Sequence, residues 1–127
     1  MKKIIKTSNA PRPIGPYNQA VLSGNTLYIS GQVPMNPVNG KLIDTGIKDA
    51  TIQVMKNLEA ILQKAGMNFS NVVKSSIFIT DMNDFTEINL AYGSYFDEAT
   101  APARETVQVS VLPLHVNVEI SMIAVAE

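Results

Sequence analysis

The apolar positions of this chain follow two periods, and each period picks out a kind of element. From Pro102 to Ala124 the period is two. Val107, Val109 and Val111 alternate with Thr106, Gln108 and Ser110, and Val116, Val118, Ile120 and Met122 resume the pattern after Pro113. This predicts two strands, and because Pro113, Leu114 and His115 alone separate them, an antiparallel hairpin. Its polar face carries Thr106, Gln108, Asn117, Glu119 and Ser121. The other period is helical: Ile47, Ala50, Val54, Leu58, Ile61, Leu62 and Ala65 mark one buried face of a helix over Ile47 to Ala65. Thr45 is its candidate N-cap, and Gly66 suits the left-handed position beyond its end.

Shorter patterns fill the remainder. Lys3 to Lys6 reads as an edge strand whose lysines discourage further pairing. Ala10 to Tyr17 holds Pro11, Pro13 and Pro16, so it is an ordered loop with few accessible conformations. Asn18 to Leu22 and Thr26 to Val33 form a hairpin around Ser23-Gly24-Asn25, and Pro34 to Asp44 is a surface loop. Val72 to Thr80 is a strand, its run Ile77-Phe78-Ile79 suggesting cover on both faces. Asp84 and Glu87 have capping-box spacing. They open a second helix with Phe85, Ile88, Tyr92, Tyr95, Phe96 and Ala99 as its stripe, ending before Pro102.

The order is therefore βββαβαββ: an α+β domain over residues 1–127, with one mixed sheet and two helices on one face. Two helices leave the other sheet face bare, and the strands carry more apolar residues than two helices hide. Such a face calls for a partner, and a second copy of the chain is the simplest one.

Composition removes several function classes. Apolar residues are 46% and charged residues 17%, with a net charge of −1, as in a globular domain. No basic run supplies the electrostatic footprint of a nucleic-acid binder. The chain has no cysteine and a single histidine, His115 in a turn, which argues against a thiolate nucleophile or a zinc site. Met1 to Lys6 begins like the charged part of a signal peptide, but Thr7, Ser8 and Asn9 stand where an apolar core belongs. With no run long enough to span a bilayer, the expectation is a cytoplasmic protein that engages no membrane.

Arg104 and Glu119 are the residues with chemistry to offer. In the expected hairpin Glu119 lies opposite about Val109, roughly 17 Å from Arg104 at strand rise. Either they are unrelated surface charges, or one copy of the chain supplies the arginine and another the glutamate. Each candidate also has a plain structural account. Arg104 suits an interface ion pair, Glu119 a solvated strand face, and Tyr17 loop packing. Asn89 suits a backbone hydrogen bond, and Ser30-Gly31 a strand end.

Taken together, a series of short segments resembles the Rid family, also called the YjgF family, of enamine/imine deaminases. They are Gly15-Pro16-Tyr17-Asn18-Gln19-Ala20, Ser30-Gly31-Gln32, Asn57-Leu58, Asp81-Met82-Asn83-Asp84-Phe85, Asn89, Tyr92, Pro102-Ala103-Arg104, Leu112-Pro113 and Val118-Glu119-Ile120. They span nearly the whole chain in order. The resemblance implies a chorismate-mutase-like fold and a homotrimer whose sheets close around a central barrel, with sites between subunits. It also implies cofactor-free hydrolysis of 2-iminobutanoate, 2-iminopropanoate or 2-aminoacrylate to 2-oxo acids and ammonia.

By the same resemblance Arg104 binds the substrate carboxylate, Glu119 is the acid/base, and Tyr17 comes from a neighbouring subunit. Ser30, Gly31, Asn89 and Thr106 line the pocket. Thr106 stands where many members have cysteine, Glu105 where a small polar residue is usual, and Ser121 where a second glutamate is frequent. The rival readings are a non-catalytic module holding a small carboxylate, a ribonuclease or translation inhibitor, and a chaperone-like protein.

Overall fold

A computed structural model describes residues 1–127. Its elements are β1 (Lys2–Ile5), β2 (Ala20–Ser23), β3 (Thr26–Gln32), α1 (Ile47–Lys64), β4 (Val72–Ile79), α2 (Phe85–Gly93), β5 (Ala103–Gln108) and β6 (Val118–Val125). The strands form one sheet in the order β1-β2-β3-β6-β4-β5, antiparallel throughout except that β4 and β5 run parallel. Both helices lie on one face, with α1 packed on β3, β6 and α2. The element order and the mixed sheet agree with the expectation.

The expected hairpin of the last two strands does not form. β4 lies between β5 and β6, so that Glu119 is paired with Phe78 and Arg104 with Ser75. Period-two alternation states that a segment is a strand but not which strand is its neighbour. Here α2 carries the chain from β4 to an adjacent parallel strand, the usual use of a helical crossover. The stretch 109–117 then passes over the end of β4 and is tied to it. Val109 N–H donates to the Ile79 carbonyl at 2.8 Å, and Thr80 Oγ1 bonds Asn117 Oδ1 at 3.0 Å. The central strand β4 thereby buries Ser75, Ile77 and Ile79 under the helices with neighbours on both edges.

Helix boundaries also differ in detail. Gly46, not Thr45, occupies the N-cap of α1, and the Thr45 hydroxyl instead donates to Asp49 Oδ2 at 2.7 Å. Asp84 stands at the N-cap of α2, but its side chain makes no cap hydrogen bond; Asp81 accepts from Asn83 N–H and opens a 3₁₀ turn that leads into α2. The second helix ends at Gly93, short of the predicted stripe, because Tyr92, Tyr95 and Phe96 turn onto Phe69 and one another. Their ring centroids lie 4.8–5.3 Å apart. Gly66 does take the left-handed conformation beyond α1, at φ 75°.

Beneath α1, buried Asn57 ties the helix to the chain leaving β3. Its amide donates to the carbonyls of Val33 and Met35 at 3.1 and 3.0 Å and accepts from Gln53 at 2.9 Å. Asn57→Ala leaves both carbonyls without their partner and should lower unfolding free energy by about 2–3 kcal/mol, measurable by urea titration.

Opposite the helices the sheet is bare. Ile4, Val21, Tyr28, Phe78, Val107, Ile123 and Val125 share that face, with Ile4, Tyr28 and Val107 exposed. The run Ile77-Phe78-Ile79 is thus covered on one side only within a single chain. No helix is long and apolar enough to cross a membrane.

Candidate functional site

A cavity of about 400 Å³ opens between the proline-rich loop, the end of β3 and the start of β6, and Tyr17, Ser30, Gly31 and Glu119 line it. Its walls are set by short-range constraints. Gln19 is buried and staples the loop. Its side-chain amide donates to the Thr7, Ala10 and Pro11 carbonyls at 3.0, 3.2 and 2.8 Å, while its Oε1 accepts from Thr7 N–H at 2.8 Å. Tyr17 Oη accepts from Ile14 N–H at 3.3 Å, and Ser30 Oγ donates to the Asn18 carbonyl at 2.6 Å.

The pairing of β3 with β6 breaks register between Ile29 and Gln32, and the irregular Ser30-Gly31 step lies beside Glu119. A Cβ on Gly31 would sit 2.8 Å from the Glu119 carboxyl carbon and 3.0 Å from its Cγ, so only glycine fits with the carboxylate in place. Burial pushes the Glu119 carboxyl above the ordinary range, and Glu119 has no ion-pair partner. Gly31→Ala should displace the Glu119 carboxylate with little change in melting temperature. A crystal structure of the variant beside a thermal melt would show the two effects separately.

Arg104, Asn89 and Thr106 form a second cluster, distant from the first. Arg104 Nη1 donates to Asn89 Oδ1 at 2.7 Å, and the guanidinium carbon stands 5.8 and 5.2 Å from the ring centroids of Phe85 and Tyr92. Tyr92 is fixed in turn by donating its hydroxyl to Ser75 Oγ at 2.8 Å. Burial raises the Tyr92 phenol's pKa, against weaker lowering by Ser75 and Arg104, so the shelf under the guanidinium remains neutral. No carboxylate pairs with Arg104; the only ion pair in the chain joins Lys74 and Glu105 at 3.0 Å. Two residues along β5, Thr106 Oγ1 is buried with no hydrogen-bond partner.

The two clusters lie on opposite faces of the sheet. Arg104 is in register with Ser75 and Met122, which are buried under the helices, whereas Glu119 alternates with buried Val118 and Ile120 and so faces the bare side. Two strand spacings and three residues of rise put about 14 Å between their backbones. Glu105 points away from Arg104, as alternation requires. It bonds Ser76 and Lys74, which hold its carboxyl below the ordinary range. Ser121 shares the bare face with Glu119.

Arg12, Met35 and Leu114 also line the cavity, and no motif in the sequence singles them out. Leu114 and His115 both take left-handed φ, 60° and 56°, bringing Pro113 and Leu114 to the cavity wall. No periodicity signals that conformation. Nowhere do three His, Cys, Asp or Glu side chains converge as a metal would need.

Two helices on a six-stranded mixed sheet, with a half-buried carboxylate against a strand irregularity and an arginine on an aromatic shelf, define a small α+β domain with two separate polar clusters. The chain belongs to the YjgF/Rid family, whose model, described as endoribonuclease L-PSP, matches residues 7–126. It is 48% identical to a RutC family protein of Pyrococcus horikoshii over the full length of both chains. It is 46% identical to the mouse 2-iminobutanoate/2-iminopropanoate deaminase, covering 98% of this chain and 92% of that one. The crystal structure of a Rid-family protein of unknown function from Yersinia pestis superposes with a TM-score of 0.96 at 45% identity over 99% of this chain and all of the other.

Proposed function

We propose that this protein hydrolyses 2-imino acids and their enamine tautomers, 2-iminobutanoate and 2-iminopropanoate among them, to 2-oxo acids and ammonia. Membership of the Rid family and relatives named as deaminases support imine/enamine deamination in general. The observation that carries the finer reading is the guanidinium of Arg104. It is held by Asn89 over two aromatic rings, with no carboxylate of the chain to neutralise it. Such a group is ready to clamp a substrate carboxylate in bidentate fashion. Thr106 Oγ1, buried and unpartnered nearby, has a hydrogen bond left to give.

Glu119 then acts on the reacting carbon. Its raised pKa makes it a better base than an exposed glutamate. It orients and deprotonates water as that water attacks C=N, then returns the proton to the departing amine. Tyr17 and the backbone around Gly31 would steady the tetrahedral intermediate. Because Arg104 and Glu119 occupy opposite faces of one sheet, the working site is built from two chains. The arginine of one approaches the Glu119 cavity of its neighbour. A homotrimer that buries the bare sheet faces against one another would supply three such sites.

The test is oxo-acid formation from 2-iminobutanoate generated in situ. Acceleration above the spontaneous rate is expected, and its absence would leave a non-catalytic carboxylate-binding module as the better account. The family model's name points to a second reading, an endoribonuclease. That reading requires RNA binding that weakens steeply with salt, which the net charge of −1 disfavours.

A further inference from the structure

Arg12 is a cation on the cavity wall for which the proposed reaction has no use. It lines the same cavity as Glu119, where it is the sole cationic side chain and Glu119 the sole acidic one. The two do not pair, nor does Arg12 pair with any other carboxylate. Its backbone is unusually constrained. Pro11 fixes its own φ, Pro13 restricts Arg12 to extended conformations, and Gln19 grips the Ala10 and Pro11 carbonyls just before it. Arg12 also borders a second groove that contains Lys6, Thr7, Ser8, Asn18 and Gln19, so a second positive charge stands near that rim. Pro13, Ile14, Met35 and Leu114 give the cavity an apolar stretch of wall.

A 2-imino acid bound by its own carboxylate to Arg104, with its C=N carbon at Glu119, must send its side chain along this cavity. A short alkyl side chain would use only the apolar wall. One that ends in an anion reaches the exposed, unneutralised guanidinium that Arg12 brings to the cavity wall. We propose that Arg12 is a specificity-determining residue that favours 2-imino acids with a second, side-chain carboxylate, such as 2-iminosuccinate. The inference rests on the deaminase reading of this site and names the substrate class within it. The reaction is the same balanced hydrolysis. Water adds across C=N, the carbon–nitrogen bond breaks, ammonia leaves and a 2-oxo dicarboxylate remains, with no change in oxidation state.

The experiment compares 2-iminosuccinate, formed in situ from L-aspartate by an oxidase, with 2-iminopropanoate formed likewise from L-alanine. The quantity read is the ratio of kcat/KM for the two, in the unaltered protein, Arg12→Gln, Arg12→Lys and Arg12→Glu. One charge-assisted hydrogen bond at a rim position predicts that the ratio falls about fivefold to tenfold in Arg12→Gln and further in Arg12→Glu, while Arg12→Lys retains most of it. A ratio that stays the same across the four proteins overturns the inference while leaving the deaminase intact. If neither imine is hydrolysed, the deaminase reading itself has failed. Calorimetric titration with 2-oxoglutarate and 2-oxobutanoate then decides the inference separately. A dicarboxylate preference that Arg12→Gln abolishes sustains it, and equal affinities overturn it.

Discussion

Replacing Arg104 with alanine is expected to abolish measurable hydrolysis of 2-iminobutanoate, lowering kcat/KM about a thousandfold, the equivalent of about 4 kcal/mol. The magnitude follows from what the guanidinium does. It supplies a full charge and a planar fork to the substrate carboxylate, and without it nothing in the chain fixes the C=N carbon in position. Asn89 and the rings of Phe85 and Tyr92 would remain, but none of them carries a positive charge. Arg104→Lys should recover little, since a point charge neither stacks on the two rings nor binds in bidentate fashion. Both variants should keep the oligomeric size of the parent, because Arg104 makes no ion pair that the fold depends on. Size-exclusion chromatography beside the kinetic assay would check both statements, and full activity in Arg104→Ala would remove the arginine from the mechanism.

The second large effect concerns Glu119 and the division of the site between chains. Glu119→Gln should lower kcat about a hundredfold to a thousandfold by removing the acid/base while preserving shape. Equal amounts of Arg104→Ala and Glu119→Gln chains, dissociated and reassembled together, should then regain activity that neither has alone. Where each site takes its arginine and its glutamate from different chains, random assembly leaves about a quarter of the sites with both residues intact. If both residues came from one chain, no mixed assembly would contain an intact site, and activity would stay at the level of the separate variants. Differently tagged chains, recovered through both tags, establish that exchange occurred.

Glu119 also sets a pH dependence whose sign is fixed by burial. Its folded pKa lies above its unfolded one, so the proton binds more tightly to the folded chain. The stability this provides is fully present below the unfolded value and is lost as pH rises through the folded value. Glu119→Gln should therefore raise the melting temperature at neutral pH relative to the parent, with the advantage shrinking toward acid. Catalysis runs the other way: kcat in the parent should fall as pH drops through the raised pKa, and the glutamine variant should lack that limb. A melting temperature lowered at neutral pH by Glu119→Gln would show that the carboxylate is not held at a cost.

Much of this was legible from residue order, and the exceptions have a common cause. α1 could be read from seven apolar positions because a buried helix face must recur at the helical period. Gly66 announced the end of α1 for a local reason, since its backbone needs a left-handed φ. The pairing of β5 and β6 could not be read, because a strand's alternation is indifferent to which neighbour completes its ladder. The sequence pattern places Tyr92, Tyr95 and Phe96 on one buried helical stripe. Its last two members instead pack as a turn against Phe69, which no periodicity of α2 records.

The candidate site divides along the same line. Arg104, Glu119, Tyr17, Ser30, Gly31, Asn89 and Thr106 were identifiable from short segments that resemble a known family, while Arg12, Met35 and Leu114 carried no such signal. The sequence by itself determined the elements, their order, the amphipathic helix and the presence of more apolar strand surface than two helices can cover. These follow from local backbone preference and from the burial demanded by each side chain. Only the tertiary structure decided that β4 separates β5 from β6, that Arg104 and Glu119 face opposite sides of one sheet, and that the Ser30-Gly31 irregularity admits the Glu119 carboxylate. Those are relations between residues far apart in the chain, set by which surfaces meet when the core closes, and no single segment contains them.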